Sequence, residues 1–304
     1  MPLSTSLLTS PDTAKCPPTQ LKSKPEPGRS GDDTQYVTMA DMEISYAESI
    51  GFLPDQDRNL ALLENIEVMG LPPTEQFAFV GAYPDDSCAT IAMYATTCEQ
   101  RPITSLSARG EQSVSVDAWQ LMPGVANVEI GGADGHSATR LLAWVDDPQM
   151  YPITRVTSPS QAPGQIVHYD DYWLGALCDT VTVFDSVDDW NQAQTSASAD
   201  GDRADAVPTN VRPSPTFISN RWLAGLGGDD VRHPSPHTLV TGICHDVQVV
   251  TNTLTGKQWY KINADCGIPV TLGLPIGTTP APQEGSVVDG TVILTGTTGF
   301  WAGD

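Results

Sequence analysis

Positive charge is what this sequence has least of. Only 15 of its 304 residues are Lys or Arg, against 37 Asp or Glu, and the formal net charge is −22. No lysine occurs between Lys24 and Lys257. Residues 1–37 hold four basic groups (Lys15, Lys22, Lys24, Arg29) and four acidic ones (Asp12, Glu26, Asp32, Asp33), so the whole excess falls on residues 38–304. A nucleic acid needs clustered cations to displace its counterions. An anionic membrane needs a basic face. The acidic body is therefore expected to bind neither directly, and its charge to keep a large surface soluble.

Other absences narrow the field. No apolar run approaches the ~20 residues that span a bilayer as a helix. The first ten residues lack a positive region and a long apolar run, which predicts no secretory leader. There is no N-x-S/T sequon, and none of the six cysteines forms a CxxC pair. Zinc ribbons and thioredoxin-type sites are thereby disfavoured. Free thiols and folding inside a cell are the expectation, with a virion location if the protein is viral. For an extracellular chain, Cys88–Cys98 and Cys244–Cys266 are the natural pairings. Charged residues make up only 17%, while Gly (26) and Pro (25) exceed their usual combined share of roughly 12%. That composition describes a folded, loop-rich chain.

Catalytic signatures are also missing. The HPSPH stretch (233–237) has i, i+4 histidines, but its two prolines forbid the helix that would bring the rings together. Cys244 and His245 are adjacent on a predicted strand and face opposite sides. Asp134, His136 and Ser137 lie too close in sequence for a triad assembled from distant parts of a fold, and no GxSxG elbow accompanies them. LTGKQW lacks the glycines and the Ser/Thr of a phosphate loop. GLGGDD (225–230) lacks a strand before it and a helix after it. DGDRAD (200–205) begins like a calcium loop, but its twelfth position is Val211 rather than Glu. No cofactor is implied. The Asp doublets at 32–33, 85–86, 146–147, 170–171, 188–189 and 229–230 leave structural calcium at strand ends as the one metal to consider, because Ca²⁺ tolerates irregular oxygen cages.

What is present is organisation. Residues 1–37 read as a flexible, proline-broken arm. Residues 38–73 read as a helical pair. Met39, Met42, Tyr46 and Ile50 recur at helical spacing between Thr38 and Gly51. Leu60, Leu63 and Ile66 line a second helix, capped by Asp55 or Asp57 and ended by Gly70. From residue 74 to 304 the period changes to two, which predicts an all-β domain. Strands are expected at 77–83, 88–97, 112–119, 126–132, 140–145, 164–169, 179–185 and 245–252, separated by turn residues. This is the pattern of an antiparallel sandwich, a jelly-roll-like body or a barrel. A long loop or subdomain break is expected at 191–215, preceded by a short helix capped at Ser186. VQVVTNTLTGKQWYKI reads as a hairpin.

Seven tryptophans remain. Aromatics on sheets are mostly packing, but Trp is enriched at binding hot spots. Trp190, Trp222 and Trp301, near predicted breaks, are the candidate interface anchors. The final stretch GTVILTGTTGFWAGD (290–304) resembles the strand-turn-strand signature of dirigent and allene-oxide-cyclase-type β-barrels, with Thr297 where that pattern prefers Gly. The resemblance implies a ligand-binding or enzymatic barrel. A carboxylate- or calcium-dependent hydrolase is a further alternative. The organisation itself points elsewhere: to a structural or interaction protein, a subunit of a larger assembly, most concretely a viral capsid or particle-surface protein. Its partners would be copies of itself or other assembly subunits.

Overall fold

The chain was analysed as a computed structural model, which describes residues 45–64, 66–98, 102–131, 138–152, 165–199, 213–220 and 235–302. The predicted arm (1–37), Trp222, and the segments around Asp134–Ser137, DGDRAD and GLGGDD lie outside these residues.

Two short helices come first, α1 (Ser45–Glu48) and α2 (Gln56–Leu63). Asp55 caps α2 by accepting from the Arg58 N–H at 3.2 Å. Asn59 fixes the joining segment: its side chain accepts from the Leu53 N–H at 2.9 Å and donates to the Leu53 carbonyl at 2.7 Å. The helix ends at Leu63, short of Gly70. Ile66 is 38% exposed, and Met69–Leu71 leaves as strand β1 to pair with β2 (Phe77–Pro84). Sheet pairing of this backbone overrides its helical side-chain spacing.

The protein is mainly β. Strands β1 and β2 continue through β3 (Ala89–Thr96) and β4 (Ile103–Ala108) as a four-stranded antiparallel meander. The second sheet has nine strands: β5 (Val114–Met122), β6 (Val125–Gly131), β7 (Ala138–Val145), β8 (Val167–Phe184), β9 (Phe217–Asn220), β10 (His237–Thr251), β11 (Gln258–Asp265), β12 (Pro269–Pro275) and β13 (Val287–Thr297). Their pairings close on themselves. One circuit runs β8–β12–β11–β10–β13 and returns to β8; another runs β8–β5–β6–β7–β13 and returns to the same pair. Closure satisfies backbone groups that an open edge would leave exposed. Two contacts in these circuits, β12 with β8 and β13 with β7, are parallel, so the body is not purely antiparallel.

The two long strands make this possible by changing partners along their length. Val167–Tyr172 of β8 pairs with β5, and Trp173–Phe184 pairs with β13. A bulge opposite Thr291/Val292 adjusts the register. The expected strands at 164–169 and 179–185 are thus two ends of one 18-residue strand. The final stretch is likewise one strand through Thr297, followed by a 3-10 turn at Phe300–Ala302. It is not strand-turn-strand, so the feature that carried the dirigent resemblance is absent. Helix α3 (Val187–Ala199) occupies the first part of the expected break at 191–215. Ser186 starts it by accepting from the Asp189 N–H at 3.2 Å, and the Ala- and Gln-rich stretch extends it.

Strand alternation divides the core. Ala176, Cys178, Val292 and Leu294 face the interior shared by both circuits, whereas their neighbours Leu177 and Ile293 face the four-stranded sheet and α1. Residues 174–178 are buried on both faces. Gly175 lets β4 lie this close, because a Cβ there would collide with the Ala108 carbonyl.

Candidate functional site

The polar centre of the molecule is the end of β7. Asp146 and Asp147 are 1% and 0% exposed. Asp146 Oδ2 accepts from the Ser107 hydroxyl at 2.5 Å, and its backbone carbonyl accepts from the Trp301 indole N–H at 2.9 Å. Asp147 Oδ2 accepts from the Thr298 N–H at 2.9 Å and from the Thr298 hydroxyl. The doublet read from sequence as a solvated turn or calcium ligand is therefore an internal tie between β7, β4 and the segment after β13. Burial, then the neighbouring Asp147 charge, hold the Asp146 carboxyl well above its ordinary range. Burial raises Asp147 as well, against the opposing hydrogen bonds from Thr298. Hydrogen bonds from Ser107 and Thr297 oppose the rise at Asp146.

Asp146 lines a cavity of ≈ 390 Å³ together with Asp85, Asp86, Cys88, Thr90, Arg109 and Trp301, among others. Asp85 is fully engaged. Its Oδ1 accepts from the Ser87 N–H and hydroxyl at 3.0 and 2.6 Å. Its Oδ2 accepts from the Thr253 N–H at 2.9 Å and the Thr253 hydroxyl. Burial pushes this carboxyl up, but the hydrogen bonds from Ser87 and Thr253 outweigh it and leave the net shift downward. Cys88 follows in a left-handed conformation, φ 70°, rare for a residue with a side chain. The ammonium of Lys261, a residue 9% exposed, stands 3.9 Å from the Cys88 sulfur. The Arg109 guanidinium lies over the Trp173 ring, 5.2 Å from its centroid.

A second constellation, missed by sequence reasoning, sits on the β5–β8 surface. His168 Nδ1 meets Asp117 Oδ1 at 2.8 Å, and Nε2 lies 3.4 Å from both the Ser115 hydroxyl and Asp170 Oδ1. The residues are those of a triad, and the Asp117–His168 register could have been sought by pairing the two predicted strands. The chemistry does not follow. The hydrogen bond that the ring donates to Asp117 raises the imidazole pKa, with Asp170 adding to it. The array is open to water, without the dry, preorganised surroundings that acyl transfer exploits.

The predicted anchors are placed as follows. Trp190 is 3% exposed, and its indole N–H donates to Asp289 Oδ2 at 2.8 Å. Trp301 is also 3% exposed. Both rings are committed to their own chain and leave little surface for a partner. Cys88, Cys178, Cys244 and Cys266 are free thiols, so neither Cys88–Cys98 nor Cys244–Cys266 forms. Cys98 alone of the described cysteines is disulfide-bonded. Cys244 is buried while His245 is exposed, at a bulge in the pairing of β10 with β11. His237 instead meets Ser235 and Tyr46. Among the described residues no cluster of three or more His, Cys, Asp or Glu is arranged to hold a metal. No described helix is long and apolar enough to cross a membrane.

Comparison with known proteins returns no matching family model, no matching curated protein and no matching solved structure.

Proposed function

We propose that this chain is a structural or interaction protein without catalytic activity, a subunit of a larger assembly, with a viral capsid or particle surface as its most concrete setting. The observation that supports this reading is the apolar margin of the four-stranded sheet. Its outer strand β1 is only three residues long and has no described partner on its far side. Met69 on that strand is 41% exposed, Phe79 on β2 is 39% and Phe300 is 42%. Leu71 and Val80 share a core cluster with Trp301, the neighbour of Phe300, while Phe79, next to Val80 on β2, faces the other side of the same sheet. Exposed apolar groups beside an unpaired strand edge are what a second subunit covers. The partners are copies of the chain or fellow subunits. The acidic body opposes direct contact with nucleic acid, which suits an outer position. Folding inside a cell, followed by a virion location, completes the reading.

The test is the mass of the purified chain by size exclusion with light scattering, at low and high salt. Like charge opposes association of acidic subunits and salt screens it. A defined oligomer or particle, favoured by salt and visible by electron microscopy, is the expected result. A monomer at every salt and protein concentration would sink the proposal.

A further inference from the structure

The turn between β2 and β3 carries a thiol beside a cation, an arrangement that neither assembly nor packing requires. We propose that Cys88 is a site of reversible oxidation by hydroperoxides, and that Lys261 holds the oxygen added to its sulfur.

Exposure and charge single this thiol out. Among the described residues Cys178, Cys244 and Cys266 are free but buried, while Cys88 is partly exposed. Burial raises those three thiols above their ordinary value, which leaves them protonated and inert. Cys88 instead borders the ≈ 390 Å³ cavity, and the Lys261 ammonium donates to its sulfur at 3.9 Å. Partial exposure beside a cation is the setting in which cysteines react.

Lys261 supplies an independent observation. Only 9% of the residue is exposed, and among the described residues the Cys88 sulfur is its one hydrogen-bond partner. No carboxylate among the described residues forms an ion pair with it. A cation carried inside without an anion is costly. An oxidised sulfur provides the missing acceptor. The 3.9 Å between nitrogen and sulfur is long for a direct contact. It leaves room for an oxygen bonded to sulfur and about 2.8 Å from the ammonium, the length of a charge-assisted hydrogen bond.

The backbone keeps the sulfur in place. The Cys88 N–H donates to the Asp85 carbonyl at 2.8 Å, and the Cys88 carbonyl accepts from the Arg109 N–H at 2.9 Å. Its φ of 70° is one that glycine adopts without steric cost. The turn alone therefore does not explain a cysteine there.

The reaction balances with hydrogen peroxide as oxidant. The sulfur attacks one peroxide oxygen, so that an S–O bond forms and the O–O bond breaks. The second oxygen leaves with the thiol proton as water. Sulfur is oxidised to the sulfenic acid and the peroxide is reduced. The other free thiols lie in the main core and Cys98 is already bonded, so no described cysteine is free to close a disulfide with Cys88. External thiols reverse the step, with release of water and their own disulfide. Asp85 and Asp86 also line the cavity. A neutral peroxide passes them, whereas an anionic disulfide is repelled.

The test treats the full chain with hydrogen peroxide, traps sulfenic acid with dimedone and locates it by peptide mass spectrometry. Folded Cys88 is expected to label about tenfold faster than the same residue in the guanidinium-unfolded chain, the gain expected for one hydrogen bond to a charged group. Cys178, Cys244 and Cys266 should label more slowly folded than unfolded. Lys261→Met keeps the stem without the charge and should slow Cys88 labelling about tenfold. Dithiothreitol added before dimedone should return the free thiol. Labelling of folded Cys88 no faster than in the unfolded chain overturns the proposal, and that comparison needs no variant to fold. Equal rates in wild type and Lys261→Met overturn it as well.

Discussion

Trp301 and Asp146 are joined by an indole N–H donated to a backbone carbonyl at 2.9 Å, across 155 residues of chain. The bond fixes the end of β7 against the turn that follows β13. It also holds the Trp301 ring among Phe77, Val80, Ala82 and Tyr94, in the smaller core of the four-stranded sheet. A residue that looked like an anchor for a partner is an anchor for the turn after β13 of its own chain. Trp301→Phe keeps most of the ring but leaves the Asp146 carbonyl unpaired, a loss of about 1–3 kcal/mol. Trp301→Ala removes the ring as well and should cost about 3–5 kcal/mol. Urea unfolding followed by far-ultraviolet circular dichroism measures both. Equal stability of the Phe variant and wild type would show that the bond contributes nothing net.

The Asp146–Asp147 pair should make stability fall as pH rises, the reverse of ordinary acid denaturation. Both carboxyls are raised above the ordinary value of 3.8, first by burial. The folded state therefore retains protons that the unfolded chain releases. Their contribution is fully present below pH 3.8 and is lost as pH climbs through the folded values, with a slope of at most about 1.4 kcal/mol per pH unit for each proton. Asp85 acts oppositely. Its carboxyl is lowered, so its contribution is present above 3.8 and disappears as pH falls through the folded value. Melting temperatures across this range separate the two. Asp146→Asn should flatten the decline above pH 3.8, whereas Asp85→Asn should remove the drop below it. An unchanged profile in Asp146→Asn contradicts the assignment.

The β character was legible because period-two runs such as Phe77–Tyr83 and Ala89–Thr96 carry it locally. The hairpin Val247↔Ile262 was legible for the same reason. Closure was not. It depends on β8 and β13 exchanging partners midway, and nothing in either sequence marks the exchange. Strand β4, ITSLSA, escaped notice because small polar residues fill it, and its Ser107 is polar in order to reach Asp146. The site was hidden in a similar way. An Asp doublet beside a strand reads as a solvated turn unless one knows that β4 and the segment after β13 cover it. Trp190 and Trp301 looked like anchors because they lie near breaks, yet Trp190 is tied to Asp289 of β13 and Trp301 packs into the core of the four-stranded sheet.

The glycines of the last strand make a sharper prediction. A Cβ at Gly296 would strike the Tyr172 hydroxyl, with the ring carbon Cζ 2.7 Å away. Tyr172 is fully buried and takes a hydrogen bond from the Tyr151 hydroxyl at 3.2 Å. Gly296→Ala should therefore destabilise by about 1–3 kcal/mol through overpacking. Tyr172→Phe alone should also destabilise, because Tyr151 loses its acceptor. The double variant should lose less than the two together, since deleting the hydroxyl makes room for the methyl. Strict additivity in chemical denaturation would show that the strand shifts to accommodate the new group.

The apolar margin separates association from folding. Phe79 and Phe300 are 39% and 42% exposed. A polar substitution at such positions leaves the interior packing nearly intact, and surface changes usually stay within about 0.5 kcal/mol. If a neighbouring subunit covers them, Phe79→Ser with Phe300→Ser should shift the mass distribution toward monomer while the melting temperature of the isolated chain barely moves. An interface away from this margin would leave association untouched in the double variant. Raising salt should restore assembly in wild type more readily than in the variant, because screening removes repulsion in both but only wild type retains the apolar surface to bury. Light scattering of the two proteins over one salt series distinguishes these outcomes, and it does so without requiring that the partner be identified beforehand.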